Sequence, residues 1–144
     1  KVYSVDVGYG QFDWTLRQDI RVKVIERTNI RQLAYEVINE KMDIIVADTS
    51  FISLKVVIPS AEKFMRDNTL VLALIKPQFE AGKQNVGKGG VVKDPEIRKL
   101  VINELKIFFK ERGYLINQII PSPILGPKGN KEYIISLNFK KNSN

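Results

Sequence analysis

At 144 residues, with 44% hydrophobic and 27% charged side chains, the chain suits one globular domain with a single sizeable core. It contains no histidine and no cysteine, which excludes Ser-His-Asp catalysis, imidazole bases, thiolate chemistry, disulfides and nearly all zinc sites, and is compatible with a reducing cytosol. The net charge of +7 favours a polyanionic partner, nucleic acid ahead of an anionic membrane surface.

The first predicted element is a strand over Val2 to Val7, followed by a Gly8-Tyr9-Gly10 turn and a short helix from Phe12 to Gln18. Tyr9, Phe12 and Trp14 cluster here, and core packing is their expected role rather than base stacking. Val22 to Ile25 predicts a second strand, and Leu33 to Glu40 has weak helical spacing. Asp43 to Ala47 is almost wholly apolar, which predicts a third strand covered on both faces. A helix is expected over Ser53 to Met65, with Leu54, Val57, Ile58, Ala61 and Met65 apolar, and a fourth, buried strand over Thr69 to Ile75. The apolar run Leu70 to Ile75 is far too short to span a bilayer.

Asp94 is placed to cap the next helix, Pro95 suits its first turn, Ile97, Val101, Leu105 and Phe108 form its apolar face, and Gly113 ends it. Two antiparallel strands follow, Tyr114 to Ile120 and Tyr133 to Phe139, joined by S-P-I-L-G-P-K-G-N-K. Strands alternating with helices and closing on this pair predict an α/β fold, a mostly parallel sheet with an antiparallel final strand.

With histidine and cysteine absent, acid–base chemistry falls to lysine, carboxylates or tyrosine. The stretch V-L-A-L-I-K-P-Q-F-E-A-G-K-Q-N-V-G-K-G-G singles out Lys76, which a buried strand delivers into a loop broken by proline. Packing does not explain a lysine there, because its ammonium must meet water, a carboxylate or a reacting group. A lysine acts as a base near neutrality where burial opposes its charge, whereas a nearby carboxylate favours a charged, positioning lysine. Asp48 ends the D-I-I-V-A strand and is placed to orient a polar partner, with Ser53 the better helix cap. Asp6 ends the first strand in V-D-V-G, where an acid either holds ribose hydroxyls or stands solvated in a loop. Glu132 opens the last strand and, in isolation, reads as an exposed edge carboxylate. Lys83, Lys88, Lys93, Lys128 and Lys131 lie in glycine-rich loops, which suits phosphate contacts or a solvated basic surface, and no Walker pattern is present.

The segments D-V-G-Y-G-Q-F-D-W-x-L-R-Q-D, E-R-T-N-I-R, D-T-S-F-I-S-L, K-P-Q-F-E-A-G-K-x-x-V-G-K-G-G-V-V-x-D-P and S-P-I-L-G-P-K-G-N-K-E-Y closely resemble the methyltransferase domain of the TlyA, or haemolysin A, family of FtsJ-like ribose methyltransferases. The resemblance runs from Val2 to about Leu137. It implies a Rossmann-like fold and S-adenosylmethionine-dependent methylation of the 2′-hydroxyl of cytidine in ribosomal RNA. It assigns Asp48, Lys76 and Glu132 to the family's Lys-Asp-Lys-Glu set. Asp6 falls to the cofactor ribose, Val7 to the cofactor set without a named part, Asn29 to the segment beside the adenine, and Asp48 to both sets. Ribosomal RNA or subunits are the implied partners in the cytoplasm, the lysine-rich loops holding phosphates, with no metal needed and no stable membrane insertion. The family's first strand, its glycine-rich cofactor loop, its first tetrad lysine and an S4-type RNA-binding domain are expected to precede Lys1. The missing strand belongs between those ending at Asp6 and Asp48, so the chain alone is expected to be inactive and to self-associate through an unpaired edge. A non-catalytic RNA-binding module and a membrane-active haemolysin are the alternative readings.

Overall fold

A computed structural model describes residues 1–142. They fall into two compact units, residues 1–40 and residues 41 onward.

The first unit holds two parallel strands, β1 (Val2–Val5) and β2 (Val22–Ile25), paired from Val2↔Val22 to Val5↔Ile25. Two single-turn helices, α1 (Trp14–Arg17) and α2 (Tyr35–Ile38), follow the strands in sequence. Asp13 starts α1 by accepting the Leu16 N–H at 3.2 Å, and Asn39 ends α2 in the left-handed region at φ 54°. Its buried apolar side chains are Leu33 and Ile38. The expected packing of the aromatic cluster does not hold here. Tyr9 and Trp14 are 64% and 69% exposed, Phe12 is half-buried, and the Arg27 guanidinium lies 3.9 Å from the centre of the Tyr9 ring. A helix of one turn on a two-stranded sheet provides no second layer to cover large rings.

The second unit is built on a four-stranded sheet in the order β3 (Met42–Ala47), β4 (Met65–Ile75), β6 (Tyr133–Asn138), β5 (Leu115–Pro121). β3 and β4 are parallel, while β6 runs antiparallel to both β4 and β5 between which it lies. The antiparallel final strand is therefore the one reversed strand of this sheet. Helix α3 (Leu54–Ala61) starts at Ser53, whose Oγ accepts the Lys55 N–H at 3.0 Å, and buries Leu54, Val57, Ile58 and Ala61. It is shorter than its apolar pattern suggests, because a 3₁₀ turn over Glu62–Phe64 ends it and Met65 already belongs to β4. Helix α4 (Pro95–Glu111) has the predicted Asp94 cap and first-turn proline.

The core-facing side of α4 is Val101, Leu105 and Phe109, with Phe108 half-buried. The spacing of four residues replaces the expected ending at Phe108, because the Phe109 ring meets Tyr114 edge-on at 5.4 Å as the chain turns into β5. Phe109 is fully buried, and Tyr114 in turn contacts Phe139 at 5.5 Å. Phe109→Ala should lower unfolding stability by about 3–5 kcal/mol, the usual cost of emptying a large aromatic site. Urea denaturation checks this, and a loss under about 1 kcal/mol would mean the site collapses around the smaller side chain.

β3 departs most from expectation. Ile44 is 56% exposed and Val46 73% exposed, so one face of this apolar strand is bare. Its outer edge is also unpaired among the described residues. The period of two sends Ile45 and Ala47 inward and leaves Ile44 and Val46 without a covering layer. Among the described residues no helix is long and apolar enough to cross a membrane.

Candidate active site

β3 and β4 run parallel with Ala47 opposite Ala73, so their carboxyl ends deliver Asp48 and Lys76 to the same end of the sheet. This is where open α/β sheets place their ligands. Lys76 Nζ lies 2.6 Å from Asp48 Oδ1 and donates to Ser50 Oγ at 3.2 Å. The two partners differ sharply in exposure, 12% for the lysine side chain and 65% for the aspartate. The pair thus holds a mostly sheltered ammonium by a carboxylate that still faces solvent.

The K-P-Q-F-E turn that follows is a hub whose side chains reach different loops. Gln78 Nε2 donates to Glu132 Oε2 at 2.8 Å. The Phe79 ring meets Phe51 at a centroid distance of 4.8 Å and an angle of 52°. Glu80 accepts the Ser53 hydroxyl at 2.6 Å and the Leu54 N–H at 2.8 Å, adding a second cap to α3. Residues 76, 79 and 80 therefore fasten the turn to the loop that carries Asp48, and residue 78 fastens it to Glu132. Sequence reasoning took only Lys76 from this segment, and Ser50, Phe51, Gln78, Phe79 and Glu80 were missed. Strict motif specificity was the available signal, since each position of K-P-Q-F-E except the proline has its own side-chain partner.

Three observations mark this as a site rather than ordinary packing. Phe51 is 89% exposed and sits at φ 63°, a left-handed conformation that is an outlier for a bulky residue and costs about 1–3 kcal/mol. Among the described residues, two buried side-chain polar atoms lack a hydrogen-bond partner, Thr49 Oγ1 and Gln78 Oε1, and both belong to these two loops. An open cavity of about 450 Å³, lined by Phe51, Gln78, Phe79, Gly82, Lys83 and Val86, lies beside them. That volume is within the usual range for a small-molecule or base pocket.

Glu132 is not the exposed edge carboxylate that its position alone suggests. It is 7% exposed, and a Cβ added at Gly126 would sit 2.4 Å from its Oε2, so the glycine makes room for the carboxylate. Lys76 takes Asp48 as its carboxylate, and Glu132 joins the turn through Gln78. The loops bearing the basic residues are tied together by Asn130, a buried side chain absent from the sequence-based candidates. Asn130 donates to Gly90 O at 2.9 Å and accepts the Val92 N–H at 3.1 Å, joining the loop of Lys88 to that of Lys128 and Lys131. Lys83, Lys88, Lys93, Lys128 and Lys131 are all exposed.

In the first unit, Asp6 follows β1 at the carboxyl end of the parallel pair, and the Thr28 N–H, one residue before Asn29, donates to Asp6 O at 3.0 Å. Asp6 Oδ1 accepts the Gly8 N–H at 2.9 Å, and Asp6 and Val7 are both exposed. Asn29 Oδ1 accepts the Arg31 N–H at 3.0 Å.

Burial pushes the Glu80 carboxyl above the usual carboxylate range, against the pull of the Ser53 hydroxyl and the Leu54 N–H. A group with a raised folded pKa stabilises the fold fully below its unfolded value, and that contribution fades as pH rises through the folded one. Wild-type stability relative to Glu80→Gln should therefore grow as pH falls from neutrality toward the ordinary glutamate range. Urea midpoints of the two proteins over a pH series test this, and a difference that shrinks on acidification would contradict it.

The family model for FtsJ-like methyltransferase matches residues 1–139. The 16S/23S rRNA (cytidine-2′-O)-methyltransferase TlyA of Mycobacterium tuberculosis (strain H37Rv) is 45% identical over 136 residues, 94% of this chain and 51% of that protein. The chain thus spans about half the length of this relative. A hemolysin-named structure from Streptococcus thermophilus superposes with a TM-score of 0.90 at 36% identity, covering 96% of this chain and 50% of that one. An S-adenosylmethionine-dependent methyltransferase structure from Methanosarcina mazei shares the fold, with a TM-score of 0.57 at 12% identity over 97% of this chain and 82% of that one.

Proposed function

We propose that the protein containing this chain, which belongs to the FtsJ-like methyltransferase family, methylates the 2′-hydroxyl of a cytidine in ribosomal RNA. The observation that carries this reading is the sheltered Lys76 held by Asp48 at the ends of two parallel strands. S-adenosylmethionine, when bound, supplies a methyl group on a cationic sulfur. The residues present fit that cofactor: in the first unit Asp6 offers an exposed carboxylate suited to ribose hydroxyls, and Val7 and Asn29 belong to the same cofactor set, while in the second unit Asp48 serves the side of the methyl group.

The 2′-hydroxyl is received at Lys76 Nζ, whose ammonium, paired with Asp48, fixes the oxygen and stabilises the negative charge that grows on it as its proton is lost to solvent. Asp48 and Ser50 hold Nζ in place, and Glu132, acting through Gln78, holds the turn that carries it. Much of the rate comes from this alignment. The exposed Phe51 ring, braced by Phe79 beside the cavity, gives the target base a stacking surface. Lys83, Lys88, Lys93, Lys128 and Lys131 contact RNA phosphates in a salt-sensitive manner. Residues of the same cytoplasmic protein outside this chain supply the glycine-rich cofactor loop, the first tetrad lysine and an S4-type RNA-binding domain. They also pair the open edge of β3, through which the chain alone self-associates.

Deleting the gene tests the reading in cells. Ribosomal RNA from the deletion strain is expected to lose 2′-O-methylcytidine, and a plasmid copy to restore it. An unchanged nucleoside profile would sink the proposal and leave an RNA-binding role.

A further inference from the structure

Gln78 is bonded at one end only. Its Nε2 donates to Glu132 Oε2 at 2.8 Å, while its Oε1 is buried without a partner. An amide usually turns either way to suit its neighbours. Here the carboxylate fixes the choice, because it only accepts, and a flipped amide would set oxygen against oxygen. Gln78 follows Lys76 by two residues and lines the cavity beside Phe51.

We propose that Gln78 is a specificity-determining residue, its side-chain carbonyl accepting a hydrogen bond from the exocyclic amino group of the target cytosine. This rests on the reading of the protein as a cytidine 2′-O-methyltransferase. Cytosine carries an amino donor where uracil carries a carbonyl acceptor. A freely turning glutamine would satisfy either base by presenting whichever end was needed. Glu132 removes that freedom, so a uracil would meet a fixed acceptor and leave two oxygens unpaired. The carbonyl is already shut from water in the free protein, and meeting an amino group therefore takes no hydration from it. Reaching it takes a side-chain adjustment at the cavity wall, where Phe51 is the exposed member.

The other lining side chains do not read the amino group. Stacking on Phe51 or Phe79 accepts any base. Lys83 only donates and cannot read an amino group. Gly82 and Val86 offer no polar side chain.

The test uses the full-length protein with unmethylated ribosomal subunits carrying cytidine or uridine at the mapped target position. Mass spectrometry of digested RNA gives kcat/KM for 2′-O-methylcytidine and for 2′-O-methyluridine. The wild type is expected to prefer cytidine by about ten- to hundredfold. Gln78→Met keeps the length and loses the acceptor, and the two substrates should then fall within roughly threefold of each other. Gln78→Glu keeps an acceptor but opposes Glu132, so it should lose rate on both substrates while retaining the cytidine preference. A Gln78→Met variant that slows on both with its preference intact would show a merely structural role and overturn the inference. If that variant melts below the assay temperature, loss of preference in Gln78→Glu overturns it instead. A wild type that methylates both substrates equally overturns the inference alone, and one that methylates neither removes the functional reading as well.

Discussion

Replacing Lys76 with methionine in the full-length protein is expected to lower kcat for methyl transfer by about 10²–10⁴-fold, the range for removing a positioned proton-handling group. Methionine keeps the unbranched stem that β4 delivers and suits the sheltered position, where the lysine side chain is only 12% exposed. Removing the ammonium leaves Asp48, which is 65% exposed, in contact with water, so no buried charge is orphaned. The melting temperature should accordingly change little, and RNA and cofactor affinity should stay within a few-fold. Arginine should not rescue the activity, because its planar fork cannot place one nitrogen between Asp48 and Ser50 at 2.6 and 3.2 Å. A Lys76→Met protein that keeps more than about a tenth of wild-type kcat would remove Lys76 from the chemistry, since even modest general acid–base roles exceed that factor.

The second large effect concerns the cofactor. Calorimetric titration of S-adenosylmethionine should give a measurable affinity with the full-length protein. With the 144-residue chain alone, the affinity should be weaker by a factor of about 10³ or more, equivalent to roughly 4 kcal/mol. Small-molecule sites bury most of their ligand, yet Asp6 and Val7 are exposed and the cavity of about 450 Å³ is lined by other residues. Equal affinity for both proteins would mean that this chain already contains the whole cofactor site, and would remove the need for residues beyond it.

The elements that were legible in the sequence are those with local rules. Asp94, Pro95 and the apolar spacing defined α4 to within two residues, and the apolar runs ending at Ala47 and Ile75 defined β3 and β4 at their carboxyl ends. Because those ends carry Asp48 and Lys76, half of the site's geometry followed from strand periodicity and parallel pairing. What the sequence hid depends on tertiary context. The all-apolar pattern of β3 states that two faces want cover, and it does not say that one face is bare in this chain. Phe108 and Phe109 differ by a turn of 100° around α4, and the choice between them is made by Tyr114 beyond the helix. Glu132 looked exposed because a strand's first residue often is, and its burial depends on Gly126 six residues earlier. No propensity rule signals that Phe51 takes a left-handed backbone, or that Gln78 and Glu80 bind different loops from a five-residue turn.

The most direct measurement is the product of a purified reaction. Full-length protein, S-adenosylmethionine and unmethylated ribosomal subunits are incubated, the RNA is digested to nucleosides, and these are separated by mass. 2′-O-methylcytidine is the expected product with the wild type, absent without S-adenosylmethionine and reduced at least about a hundredfold with Lys76→Met. Methyl groups found only on bases, or 2′-O-methylcytidine formed equally well by Lys76→Met, would contradict a ribose methyltransferase centred on Lys76 and Asp48.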